Sequence, residues 1–327
     1  MTEPTDSISI VDLTLTASDG TTLGARVHEP AADRPTPRAS VIVHGATATP
    51  SRYYDRFARW LATRGYRVLT YDYRGVGRSR RGPLGRAANA MTMRDWAERD
   101  AVAAHEALVA RDPAARVLAV AHSFGGQALG LSDALHGVSA AAMVGVQFGY
   151  VGHWPAAGRA RLGLVWNVLV PGFSSALGYV PGWSGIGEDL PGGVAREWAR
   201  WCTSPGYLLD HVEGASERFA RFSAPTLFYS FTDDDYAPRP AVEHYLSSLA
   251  GAQRIHRRFA PSDLGASEIG HFGFFRPRFE PTLWRELARF FDDVSDGRAP
   301  TATPHLSREA TRPRDEDIAL DLAYGRD

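Results

Sequence analysis

Val117-Leu118-Ala119-Val120-Ala121-His122-Ser123-Phe124-Gly125-Gly126 is an apolar strand that runs into a serine and leaves it as an apolar helix. Residues of this kind in this order predict a nucleophile elbow. A serine at so tight a strand-to-helix turn has a strained backbone, and the residues two positions before and after it must be small. Ala121 and Gly125 meet that demand. Ala121 stands where the common pattern has glycine, a difference of one methyl. The turn also points the main-chain N–H groups of the helix start into the space beside Ser123. An anion forming there finds donors and the favourable end of the helix dipole.

Chemistry at that serine needs a base, an acid and a second donor. Residues 39–47 read as a buried strand ending in the small-residue loop Gly45-Ala46-Thr47, whose backbone can approach a ligand closely. The main-chain N–H groups of Ala46 and Phe124 are therefore the expected oxyanion donors. The apolar strand 225–231 ends in Thr232-Asp233-Asp234-Asp235-Tyr236-Ala237-Pro238. A carboxylate at a strand end can hold a histidine in one tautomer and balance its charge. After a further strand at 254–259, His271 lies between Gly270 and Gly273 in a loop that suits an accessible imidazole.

With these motifs the chain resembles the serine α/β-hydrolases. Within that superfamily it is similar to the bacterial serine-aminopeptidase-like and monoacylglycerol-lipase-like hydrolases and to a group of predicted hydrolases beside them. The resemblance spans residues 8–292. It rests on Val43-His44-Gly45, Asp72-Tyr73-Arg74-Gly75-Val76-Gly77-Arg78-Ser79, the elbow, Asp234-Asp235-Tyr236-Ala237-Pro238 and Gly270-His271-Phe272. It implies an α/β-hydrolase fold, with a mostly parallel central sheet, helices on both faces and an inserted helical cap. The order Ser…Asp…His is the one that fold carries. In the superfamily the acid lies four residues before a proline, so Pro238 picks Asp234 and leaves Asp233 and Asp235 as solvated turn residues. Placement after the preceding strand is closed, because Val146-Gln147-Phe148 there holds no carboxylate. The implied triad is Ser123, Asp234 and His271.

The rest of the chain is organised to match. Residues 8–29 read as two strands joined at Asp19-Gly20. Phe57, Trp60 and Leu61 recur at helical spacing, with Gly65 as the stop. Thr92-Met93-Arg94-Asp95 resembles a capping box opening a helix to about Ala110. Strands at 67–71 and 141–146 complete a β-α rhythm, which implies a sheet whose ligands bind at the C-terminal strand ends. From 148 to 222 the rhythm breaks, and this stretch holds Trp154, Trp166, Trp183, Trp198 and Trp201. It reads as a cap roofing the serine, aromatic enough to predict a small-molecule substrate with an apolar portion. The expected organisation is a core of 1–147 and 223–294, a cap of 148–222 and a flexible tail of 295–327 with a short helical pattern at 318–323.

Composition removes other classes. A net charge of −1 on 327 residues gives no footprint for nucleic acid. All 36 basic side chains are arginine, so Schiff-base chemistry and a phosphate-loop lysine are excluded. One cysteine, Cys202, forbids an intrachain disulfide, and the 11 histidines show no metal-binding spacing. No metal and no cofactor are expected. The N-terminal residues lack a secretory pattern and no stretch is long and apolar enough to span a bilayer, so the expected location is the cytoplasm, without membrane insertion. Gly75-Val76-Gly77 fails as a dinucleotide loop because Arg80 occupies the third glycine position, and Arg78, Arg80, Arg81 and Arg86 read as a solvated loop.

The expected activity is hydrolysis of a carboxylic ester, thioester or amide through an acyl-enzyme on Ser123. An acyltransferase would use the same triad with an alcohol or amine as acceptor. An aminopeptidase would need a cap carboxylate to grip an amine, with Glu188, Asp189, Glu197 and Glu213 available. A ligand-binding protein could retain the fold without catalysis. His122, next to the nucleophile, is a rival base whose place in the elbow turns it away from Ser123.

Overall fold

The computed structural model describes residues 8–31 and 37–299. The expected tail beyond residue 299, its 318–323 pattern and the first residues of the chain lie outside that range. The chain opens with β1 (Ser9–Thr16) and β2 (Thr22–Glu29), an antiparallel hairpin. Its turn sets Gly20 at φ 82°, a left-handed conformation that glycine adopts without steric penalty. β3 (Ser40–His44), α1 (Asp55–Thr63) and β4 (Arg67–Tyr71) follow. Thr92 then caps a long helix. Its hydroxyl accepts the Asp95 N–H at 3.0 Å while the Asp95 carboxylate accepts the Thr92 N–H at 3.0 Å. That helix runs as α2 (Met93–Asp95), a π turn (Trp96–Asp100) and α3 (Ala101–Arg111). β5 (Val117–His122), α4 (Phe124–Leu131) and β6 (Ala140–Val144) come next.

Between β6 and the next sheet strand lie α5 (Ala156–Leu164), α6 (Val170–Ala176), the two-residue pair β7 (Tyr179–Val180) and β8 (Leu190–Pro191), α7 (Gly192–Cys202) and α8 (Ala215–Arg221). The core resumes with β9 (Thr226–Phe231), α9 (Arg239–Ser248), β10 (Arg254–Phe259) and α10 (Arg285–Ser295). The sheet has eight strands in the order β1-β2-β4-β3-β5-β6-β9-β10. Only the β1–β2 and β2–β4 pairings are antiparallel. Every residue of β3, β5, β6 and β9 is buried, as expected of parallel strands covered on both faces. One face packs on Trp96, Phe124 and Leu129, the other on Phe57, Trp284 and Phe291. Among the described residues no helix is long and apolar enough to cross a membrane.

The loop after β4 is anchored to the π turn and to the β1–β2 turn. Arg74 donates to Asp100 from Nη2 at 2.6 Å and from its main-chain N–H at 2.8 Å, and its Nη1 reaches Asp19 at 2.7 Å. The Trp96 indole donates to the Arg74 carbonyl at 3.1 Å. Both charged side chains of the Arg74–Asp100 pair are buried, so removing one partner strands the other away from water. Asp100→Ala should lower the unfolding free energy by about 3 kcal/mol. Urea denaturation measures it, and a loss below about 1 kcal/mol would mean that Asp19 alone satisfies the guanidinium.

Candidate active site

Ser123 adopts φ 50° and ψ −114°, one of three non-glycine residues with positive φ among those described. Its N–H donates to the Val144 carbonyl at 3.0 Å, and its own carbonyl accepts from Gly126 at 3.1 Å. A methyl on Gly125 would run into the His44 carbonyl, and one on Gly126 into the Val146 side chain. The two glycines therefore let α4 start hard against β3 and the chain following β6. That close approach pins the serine at the C-terminal ends of the central strands.

The carboxylate and imidazole meet beside it. Asp234 follows β9, and its Oδ2 lies 2.8 Å from Nδ1 of His271. Its Oδ1 accepts the N–H groups of Tyr236 and Ala237, each at 2.9 Å. Nδ1 consequently carries the proton that faces the carboxylate, which leaves Nε2 as the atom able to accept another. Gly145, at φ 57°, opens the space for the pair. A β-carbon there would sit 3.2 Å from Nδ1 and Cε1 of His271 and 3.3 Å from Asp234 Oδ2. The Ser123 hydroxyl makes no hydrogen bond to the described residues, His271 included. What joins them is Val144-Gly145: Val144 accepts the Ser123 N–H, and Gly145 lies under the His271 ring. Such contacts often tighten only when substrate binds.

Asp233 departs from expectation. It is not a solvated turn residue, because its Oδ2 accepts the N–H groups of Ile269 at 2.7 Å and Gly270 at 3.0 Å and so clamps the loop that carries His271. Asp235 is exposed, as expected. Tyr53 supplies a second clamp, donating to the Phe272 carbonyl at 2.6 Å.

His122 turns away from the serine into a buried relay. Its Nε2 is 3.0 Å from the His271 carbonyl and its Nδ1 is 2.9 Å from Tyr54 Oη. A carbonyl can only accept, so Nε2 carries the proton and Nδ1 accepts from the tyrosine hydroxyl. That hydroxyl in turn accepts the Ala46 N–H at 2.9 Å. Burial, reinforced by the neighbouring His271, holds the His122 imidazole well below its ordinary 6.5. With both nitrogens engaged, it has no vacant position for a substrate proton. Ala46 is thus not the free donor that its sequence context suggests, since its N–H already has a partner. Phe124 opens α4, where main-chain N–H groups lack helical acceptors.

The family description that matches residues 41–280 is that of the alpha/beta hydrolase family. The chain belongs to that family. A carboxyl esterase from Bacillus coagulans, solved with glycerol, is similar at TM-score 0.59 and 13% identity, over 88% of this chain and 100% of the other. The esterase domain of a Rhodothermus marinus protein is similar at TM-score 0.50 and 18% identity, over 81% and 90% of the two chains. A monoacylglycerol lipase from Paleococcus ferrophilus is similar at TM-score 0.51 and 14% identity, over 89% and 99%. At these identities the likeness is one of fold. Comparison with curated proteins gives no match.

In this alpha/beta hydrolase the segment between β6 and β9 lies on the loops that leave the C-terminal strand ends. The Glu188 N–H donates to the Ala48 carbonyl at 3.0 Å after β3, and the Glu188 carboxylate pairs with Arg52 and accepts the Gly77 N–H at 3.3 Å. Asp189 pairs with Arg80 at 3.0 Å, and the Trp154 indole donates to the Asp235 carbonyl at 2.9 Å after β9. Arg78 and Arg80 are therefore ion-paired to Asp12 and Asp189 and do not form a free anion site. Tyr54→Phe would strip partners from two buried groups, Nδ1 of His122 and the Ala46 N–H. The expected cost is about 2 kcal/mol of unfolding free energy. An unchanged urea midpoint would show that those groups need no tyrosine.

Proposed function

We propose that this protein is a serine hydrolase of carboxylic esters that works through an acyl-enzyme on Ser123. The observation that carries the reading is the Asp234–His271 hydrogen bond at 2.8 Å beside a serine in a strained strand-to-helix turn. As Ser123 Oγ attacks the ester carbonyl, Nε2 of His271 takes its proton and Asp234 balances the imidazolium. The Phe124 N–H receives the oxyanion. The Ala46 N–H, held by Tyr54 Oη in the free protein, becomes the second donor when the oxyanion draws it from that hydroxyl. The same imidazole then protonates the departing alcohol, and water repeats the sequence to free the acid.

Residues 148–222 act as the cap. Their contacts with the loops after β3, β4 and β9 support that role, and the apolar composition of the segment favours a substrate with an apolar acyl or alcohol part. An aminopeptidase is less well supported. Of the four carboxylates suited to grip an amine, Glu188 and Asp189 are ion-paired, Glu197 accepts the Arg94 N–H at 3.1 Å, and only Glu213 stands exposed.

Ser123→Ala should fold normally, lose covalent labelling by a fluorophosphonate and lose about 10³-fold or more of nitrophenyl-ester turnover. His271→Ala should lose a comparable factor, and His122→Gln far less. Labelling that persists without Ser123, or a larger loss at His122 than at His271, would overturn the assignment. Esters of graded acyl length would read the depth of the apolar pocket.

A further inference from the structure

α5, a π turn (Val165–Leu169) and α6 wind as one continuous rod on the outside of the inserted segment. Its inner stripe, Trp166, Val170 and Ser174, is buried, with the Trp166 ring 4.7 Å from that of Trp198. Its outer side is also apolar. Leu164 and Val168 are each 55% exposed, Leu169 43% and Leu177 41%, and Trp183 just beyond is 79% exposed with its ring edge-on to Phe173. Only Val11 and Tyr236 match them elsewhere among the described residues, so the exposed large apolar side chains are concentrated in this one stretch of chain, 164–183. The π turn winds in one extra residue, so the Leu169-Phe173-Leu177 stripe is offset from the regular helical repeat set by Leu164. A helix that is apolar on both sides belongs inside an apolar medium, and this one has protein on one side only.

Charge indicates the medium. No aspartate or glutamate occurs from residue 134 to residue 187. The first acids after that stretch, Glu188 and Asp189, are paired with Arg52 and Arg80. Arg161 stands exposed one turn before Leu164, and Arg159 is exposed near the start of the same helix. Two copies placed face to face would set these arginines against a surface without carboxylates, whereas anionic lipid supplies both phosphate and hydrocarbon.

We propose that this face docks on the surface of an anionic lipid bilayer. Trp183, Leu164, Val168 and Leu177 enter the boundary between headgroups and acyl chains, and Arg159 and Arg161 reach the lipid phosphates along their own apolar stems. The docking involves no catalytic residue, so it stands or falls separately from the esterase reading.

Cosedimentation of the full chain with vesicles of phosphatidylglycerol mixed equally with phosphatidylcholine tests it. Wild type should sediment with the mixed vesicles. Its partition should fall about tenfold or more with phosphatidylcholine alone, and likewise in an Arg159→Gln/Arg161→Gln variant. A Val168→Asp/Trp183→Ser variant, with its thermal midpoint kept, should remain in the supernatant. Failure of wild type to bind mixed vesicles, equal binding by the Val168→Asp/Trp183→Ser variant, or indifference to lipid charge and to the arginines would each overturn the proposal. So would a wild-type dimer that Val168→Asp dissolves, because that result gives the face to a second copy.

Discussion

Ser123 occupies a backbone conformation, φ 50° and ψ −114°, that an L-residue resists, at a cost of order 1–3 kcal/mol. It persists because the chain on either side has no freedom to relax. β5 is bonded to β3 on one edge and β6 on the other, all its residues are buried, and α4 begins against the His44 carbonyl through a glycine with no side chain to hold it off. A strained turn locked this way presents Ser123 at the C-terminal end of the sheet with no backbone freedom to turn away. Everything that gives the serine a chemistry is assembled around that fixed point.

The assembly is a set of hydrogen bonds between segments far apart in sequence. Asp234 holds the His271 ring, Asp233 and Tyr53 hold the loop that bears it, and His122 ties the elbow to the His271 carbonyl while reaching the β3 loop through Tyr54. These donors and acceptors are largely buried, so each satisfied bond also avoids a desolvation penalty, and the loops inherit the rigidity of the sheet. The inserted segment adds contacts with the loops after β3, β4 and β9, through Glu188, Asp189 and Trp154.

Much of this was legible in the residues themselves. Parallel strands covered on both faces must be unbroken apolar runs, so 117–122 and 226–231 announce themselves, and the capping box at Thr92 marks a helix start by chemistry that is local. The elbow is local too, which is why the strand-to-helix turn at Ser123 and Phe124 is legible in the residues. The Asp234–His271 contact follows from motif resemblance, and the two side chains do meet. What escaped depends on tertiary packing. Tyr54 finds His122 across 68 residues, and Asp233 finds Ile269 across 36, distances over which spacing carries no information. The engagement of the Ala46 N–H follows from the first of these. Gly145 carried a faint signal, a glycine closing an apolar strand, and its positive φ and the lack of room for a β-carbon under His271 explain it. The π turns at 96–100 and 165–169 leave no mark in the apolar periodicity, because one extra residue is absorbed within a turn.

A crystal structure of the protein inactivated by an alkyl phosphonate would test most directly whether Ser123, His271 and the two main-chain donors act on one atom. The phosphorus should be bonded to Ser123 Oγ, with its free oxygen at about 2.7–3.1 Å from the N–H groups of Phe124 and Ala46 and with Nε2 of His271 facing the ester oxygens. Phosphorus on another residue, or a free oxygen turned away from both N–H groups, would contradict the proposed site.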